Sequence, residues 1–335
     1  MWFDVLRLII SLCIILFSCE LFTNGIEWLG KKLRVGDGVV GSIFSAVGTC
    51  LPETAIPIIA ILFSDHTRNT TDIGIGAIAG APFMLSTLAF FVTGISVFAF
   101  WKKRKTGMQM NVNTGILSRD ISFFILVYGI GIAVSFVKID IARYVSAVFL
   151  IGCYVYYIFL TVRGDHESHV ELEELLIIRF LKVKPNILYI LFQVALALIG
   201  ILLGAELFVK NIETLSDAFG IEALALSLVI TPIATELPEK FNSIIWISKR
   251  KDTLALGNIS GAMVFQSCIP VSVGILATSW ELDIKVIISA LLALISAAVT
   301  YLWMRLKGRL NPVPLVFGGV LYAVFLGFLA LQGFS

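Results

Sequence analysis

Apolar residues in this chain are neither alternated with polar ones nor confined to one helical face. They run in long uninterrupted blocks, separated by short clusters of charge. A helix needs about 20 consecutive, mostly apolar residues to cross the hydrocarbon of a bilayer. Ten blocks reach that length, at roughly 6 to 29, 37 to 64, 72 to 100, 115 to 137, 142 to 163, 186 to 213, 221 to 248, 253 to 279, 283 to 304 and 312 to 333. The first block has only one early basic residue, Arg7, shows no small-residue cleavage pattern, and has a counterpart later in the chain. It therefore reads as a retained helix rather than a signal peptide.

Laying the chain over itself with Glu53 on Glu239 reveals that counterpart. The same offset places Glu20-Leu21-Phe22 on Glu206-Leu207-Phe208, Glu27 on Glu213, Thr49 on Thr235 and Pro52 on Pro238. With a slightly smaller offset, Gly76-Ala77-Ile78-Ala79-Gly80 falls on Gly257-Asn258-Ile259-Ser260-Gly261. The expected organisation is a first five-helix repeat over 1–163, a linker over 164–185 and a second five-helix repeat over 186–335. An odd number of crossings makes the second copy enter from the opposite side, so the repeats are inverted in the membrane.

Composition agrees with this all-α integral membrane class. The chain is 58% hydrophobic and 14% charged, with a mean hydropathy of +0.96, too apolar for a soluble domain with a polar exterior. The net charge of +2 is uninformative, and no nucleic-acid partner is expected. Charge placement says more. Lys31, Lys32 and Arg34, Lys102 to Lys105, Arg163 with Arg179, Lys182 and Lys184, Lys249 to Lys251, and Arg305, Lys307 and Arg309 all fall in odd-numbered loops. The positive-inside rule then makes those loops cytoplasmic and both termini extracellular. Short loops fit a prokaryotic plasma membrane. All five cysteines lie inside apolar blocks and read as small hydrophobes rather than a disulfide framework.

Chemistry concentrates in two segments, Gly48-Thr49-Cys50-Leu51-Pro52-Glu53 and Ala234-Thr235-Glu236-Leu237-Pro238-Glu239. A carboxylate at membrane depth costs roughly 2.5 to 3.5 kcal/mol on insertion scales and marks a functional site by default. A proline inside a helix also deprives the carbonyl four residues back of its hydrogen bond. Here that frees Gly48 and Ala234, whose oxygens must line a wet cavity or hold a cation. Residues four apart share a helix face, so Ser45, Thr49 and Glu53 form one polar stripe and Thr231, Thr235 and Glu239 another. Hydroxyls, carbonyls and carboxylates are hard donors, suited to sodium, calcium or protons. A kink with its glutamate paired to Lys240 or Lys210 is the structural alternative.

These two Thr-x-Leu-Pro-Glu segments, each followed by a Gly-x-x-x-Gly helix, resemble the alpha-repeats of the cation/calcium exchanger superfamily, the sodium/calcium exchangers. The resemblance covers nearly the whole chain. It implies an antiporter whose second, third, seventh and eighth helices form the ion site while the first and sixth slide across them. It further implies Thr49, Glu53, Thr235 and Glu239 as ligands, with Glu53 and Glu239 central to the metal, and Asn258 in the amide position of the eighth helix.

Departures from the family pattern matter as much. The usual serine after threonine is Cys50 in one motif and Glu236 in the other, the Asn or Asp expected in the third helix is Ala77, and Ser-Asn is replaced by Ala81-Pro82 and Ala262-Met263. Calcium takes roughly 6 to 8 oxygens, so water or backbone would have to make up the set. Glu236 adds an acid three residues from Glu239. Two such acids repel, which favours proton binding when the cation leaves; alternatively Glu236 pairs with Lys240. Glu20 and Glu206, at matching places in the sliding helices, read as structural pairs or gate contacts. In the linker, His166 and His169 are three apart rather than the four a zinc-protease helix requires.

The expected function is secondary cation antiport, with inorganic cations and the bilayer as partners, the transported ion in the site and no resident cofactor. A non-transporting sensor or scaffold is the alternative, and an intramembrane enzyme is third, because no nucleophile-base motif lies at membrane depth. The transported ion and the oligomeric state are not indicated.

Overall fold

The computed structural model describes residues 2–32, 50–64, 68–104, 107–164, 174–178 and 186–332. Side chains at 237–242 and at a few helix ends, Glu27 among them, lie outside the described set. The described residues are helical, with no strand. We label the helices α1 (Trp2–Lys32), α2 (Leu51–Leu62), α3 (Arg68–Met84, continued through a π turn at Leu85–Ala89 into Phe90–Phe100), α4 (Thr114–Ala133), α5 (Asp140–Gly164), α6 (Ile187–Phe219), α7 (Ala223–Ser248), α8 (Asp252–Ala277), α9 (Ile284–Lys307) and α10 (Pro312–Leu331).

Eight of these are long and apolar enough to cross a membrane. The two that fall short of that measure are the motif helices. The described part of α2 has 12 residues, and in α7 the described side chains run from Ala223 to Glu236, those at 237–242 lying outside the described set. Sequence reading therefore matches eight of the ten expected spans by length and composition.

Helix ends follow local chemistry. Asn113 caps α4 by accepting from the backbone N–H of Gly115 and Ile116, and Asp283 caps α9 by accepting from Lys285 N. Gly220 and Gly308 stop α6 and α9 at φ 63°, a left-handed conformation that glycine adopts without a Cβ clash. No disulfide links any of the five cysteines.

The bundle is layered around α8. In its apolar window 78% of the residues are buried, against 22% in α5, so α8 is a central helix and α5 a peripheral one. Exposed Ile141, Val145, Val148 and Val155 on α5, with Leu188, Phe192, Ile199 and Leu203 on α6, form an apolar outer surface matched to lipid. Packing is reciprocal between the halves. Helix α3 packs on α9 and α10, α8 packs on α4 and α5, and α1 lies along α6. The α1–α6 contact also holds the end of the linker. Asn24 Oδ1 accepts from Leu176 N at 3.0 Å and from Gln193 Nε2 at 2.9 Å, while Gln193 Oε1 accepts from Ile177 N at 2.9 Å.

Close approach of α3 to α7 depends on Gly76 and Gly80. A Cβ on Gly80 would sit 2.3 Å from Leu228 O and 2.6 Å from Pro232 Cγ, and one on Gly76 would sit 2.6 Å from Leu224 O. Backbone atoms cannot rotate away, so Gly80→Ala must part the two helices. Overpacking of this kind costs about 1 to 3 kcal/mol. A clear drop in the detergent melting temperature is expected, while Gly129→Ala, where no described atom lies within 4 Å, should leave it unchanged or raised.

Candidate cation site

Helices α2, α3, α7 and α8 each pack against the other three, forming a central cluster in which prolines interrupt the backbone ladder. A helical proline cannot donate to the carbonyl four residues earlier. Pro57 in α2, Pro82 in α3 and Pro270 in α8 thus leave Glu53 O, Ile78 O and Gln266 O without their helical partners. The sequence reading assigned freed carbonyls to Gly48 and Ala234 as well, and the same rule applies to Ala234, four residues before Pro238 on α7. Helix α2 starts at Leu51 with Pro52 in its first turn, where a missing N–H is harmless; Gly48 lies outside the described residues, as do Ser45 and Thr49. Ala234 sits within α7, which continues as helix through Pro238.

The described motif side chains are sequestered. Glu53 is 3% exposed, Glu236 1%, Thr231 1% and Thr235 0%, so both carboxylates are withdrawn from lipid into protein. Thr54 Oγ1 donates to Cys50 O at 2.7 Å, Thr235 Oγ1 donates to Thr231 O at 3.0 Å, and the Thr231 and Ser227 hydroxyls lie 3.0 Å apart. Ser227 Oγ also donates to Ile73 O at 2.7 Å, a polar tie from α7 to α3. Asn258 is partly buried on α8. Glu239 falls on α7, but its side chain and that of Lys240 are outside the described set. Cys50, Ala77, Ala81 and Ala262 are buried at the positions where the resemblance expects polar groups.

Glu20 and Glu206 are both exposed. Lys210 Nζ bonds Glu206 Oε1 at 2.7 Å across one turn of α6, so the structural pair expected there is present at Glu206.

Several polar residues escaped the sequence reading. Gln266, fully buried on α8, has neither amide atom bonded to another described group. Its signal was an amide amid apolar neighbours, nine residues beyond Gly257. Asp120 on α4, 2% exposed, accepts from Ser260 Oγ at 2.8 Å, joining α4 to the Gly257–Gly261 segment. Arg104 and Asp252 form a buried ion pair between the loop before α4 and the start of α8. An open cavity of about 450 Å³, lined by Asn69, Asp72, Asp217, Glu222, Glu281 and Asp283 among others, lies at the end assigned outside by loop charge. Among the described residues no group of three or more His, Cys, Asp or Glu side chains gathers as a metal cluster.

Membrane-length helices, a lipid-matched exterior and buried carboxylates on proline-broken central helices define an integral membrane protein with acidic groups at membrane depth. Residues 3–163 and 189–334 match the sodium/calcium exchanger protein family, and the chain belongs to that family. It is 24% identical over 324 residues to CaxA of Alkalimonas amylolytica, proposed as an antiporter, covering 96% of this chain and 95% of that protein. It is 22% identical to the inner membrane protein YrbG of Escherichia coli K12, over 82% of this chain and 80% of YrbG. The fold is similar to that of the H+/Ca2+ exchanger CAX, with a TM-score of 0.71 at 15% identity over 96% of this chain and 81% of CAX. It is also similar to the sodium-calcium exchanger NCX_Mj, with a TM-score of 0.58 at 20% identity over 97% and 98%.

Proposed function

We propose that this protein is a secondary active cation antiporter, exchanging calcium or another cation for sodium or protons by alternating access between two inverted five-helix repeats. The observation that carries the reading is the burial of Glu53 and Glu236 on α2 and α7, two of the four mutually packed central helices. Carboxylates kept at membrane depth are costly and mark an ion or proton site by default. Glu53 and Glu239 are assigned as the central cation ligands, with Thr49, Thr235 and Asn258 as neutral donors, the Gly48 and Ala234 carbonyls beside them, and Ser45 and Thr231 as polar lining. Glu236 is the auxiliary acid. Gln266 joins the set, because its unbonded amide oxygen and its proline-freed carbonyl supply what Ala77, Ala81 and Ala262 withhold.

Reciprocal packing of α3 on α9 and α10 and of α8 on α4 and α5 supports the inverted repeat and ten crossings. The long α1–α6 contact supports these two helices as the moving pair, and the basic odd loops support a plasma-membrane orientation with both termini outside. The relevant assay is labelled calcium uptake by the purified chain in liposomes, under an imposed sodium gradient and separately a pH gradient. Uptake is expected under at least one. If protons couple, Glu236→Gln should remove the pH-driven flux; any sodium-driven flux should persist. Absence of uptake under both gradients overturns the calcium assignment. The buried alanines at family ligand positions favour one second reading, a non-transporting cation sensor. That reading predicts cation-dependent melting without flux.

A further inference from the structure

Away from the central cluster, an open pocket of about 420 Å³ lies between the first turns of α4 and the last turn of α9. Arg119 and Arg305 line it, together with the hydroxyl-bearing Thr114, Ser118 and Ser122. Both guanidiniums are held in place by neighbours. Nε and Nη2 of Arg119 donate to Asp120 Oδ1 at 3.1 and 3.0 Å, and its guanidinium lies 5.3 Å from the Tyr157 ring centre. Arg305 Nε donates to Tyr301 Oη at 3.0 Å, and its guanidinium lies 5.3 Å from that ring. Those bonds leave Arg119 Nη1 and both terminal nitrogens of Arg305 for another acceptor.

The charge of the pocket is positive. Two guanidiniums line it and no carboxylate among the described residues does; Asp120, bonded to Arg119, is buried and also accepts from Ser260. Lys307 and Arg309 follow immediately after Arg305 and are exposed. The start of α4 is not the source of attraction, because Asn113 Oδ1 already accepts from Gly115 N and Ile116 N. Paired arginines with flanking hydroxyls suit a tetrahedral anion with several oxygens, and guanidinium–phosphate pairs are commonly bidentate. Leu302 and Leu306 on α9 and Ile116 on α4 are exposed beside the pocket. A phosphate bound there would carry its acyl chains onto this apolar surface.

We propose that the α4–α9 pocket binds the phosphate of an anionic phospholipid at the membrane–water interface. The inference is independent of which cations the protein moves. It is tested on the full chain purified in detergent, by melting temperature and native mass spectrometry with phosphatidylglycerol, phosphatidylcholine or inorganic phosphate. Phosphatidylglycerol is expected to raise the melting temperature and remain bound. Phosphatidylcholine should do so less, and inorganic phosphate at equal concentration should not. Arg305→Gln and, separately, Ser122→Trp, which fills the pocket from an exposed position, should each weaken phosphatidylglycerol binding about tenfold while melting like the parent in detergent alone. Arg119 is left intact because it also anchors Asp120. An undiminished lipid effect in both variants, no effect in the parent, or an equal effect of inorganic phosphate would overturn the proposal.

Discussion

Glu53→Gln and Glu239→Gln are each expected to lower gradient-driven cation flux by about 100-fold or more, the loss that follows from removing roughly 3 kcal/mol of charge-assisted binding. Glutamine preserves shape and volume, so the bundle should fold and only the charge should be missing. Glu53 is 3% exposed on α2, and Pro57 leaves its backbone carbonyl without a helical donor. Side chain and main chain of one residue therefore present hard oxygen together. Glu206→Gln is the matched control. That glutamate is 48% exposed and bonded to Lys210 one turn away, and exposed i,i+4 pairs contribute only about 0.3 to 0.5 kcal/mol. Its flux should stay within about twofold of the parent. Equal losses in all three variants would mean that flux depends on overall charge rather than on an ion site.

This contrast also shows what the sequence could reveal. Position relative to proline, and self-similarity between the halves, singled out Glu53 and Glu239. Glu20 and Glu206 share the self-similarity, yet both are exposed, and Glu206 is paired with Lys210 on its own helix. Hydropathy blocks give eight spans directly, since bilayer thickness sets their length. The motif helices are expected from the same blocks, at 37 to 64 and 221 to 248. Residues 33–49 and the side chains at 237–242 lie outside the described set, so these two spans are not matched by length and composition. The freed carbonyl at Gln266 was missed because Pro270 lies beyond the motif, although the rule applied to Pro52 and Pro238 applies there unchanged. Tertiary partners such as Asp120 with Ser260, 140 residues apart, carry no local periodicity at all.

The largest stability loss is expected at the Arg104–Asp252 pair, whose side chains are 1% and 0% exposed. Arg104 Nη1 donates to Asp252 Oδ1 at 2.8 Å and to Ile247 O at 3.1 Å, and Asn111 N donates to Asp252 Oδ2 at 2.8 Å. One ion pair thereby fastens the segment before α4 to the turn joining α7 and α8, tying the first half of the chain to the second. Arg104→Met or Asp252→Leu alone strands a buried charge, at a cost of about 3 to 5 kcal/mol. Each single variant should melt far below the parent or fail to accumulate. The double variant removes both charges and their desolvation penalties, so it should recover most of the loss, although Asn111 N and Ile247 O still lose their partners. Melting temperatures of the parent, both singles and the double give the coupling energy directly. A double variant no more stable than the sum of the singles predicts would mean that the two charges act separately, with Asp252 serving chiefly the positive end of α8.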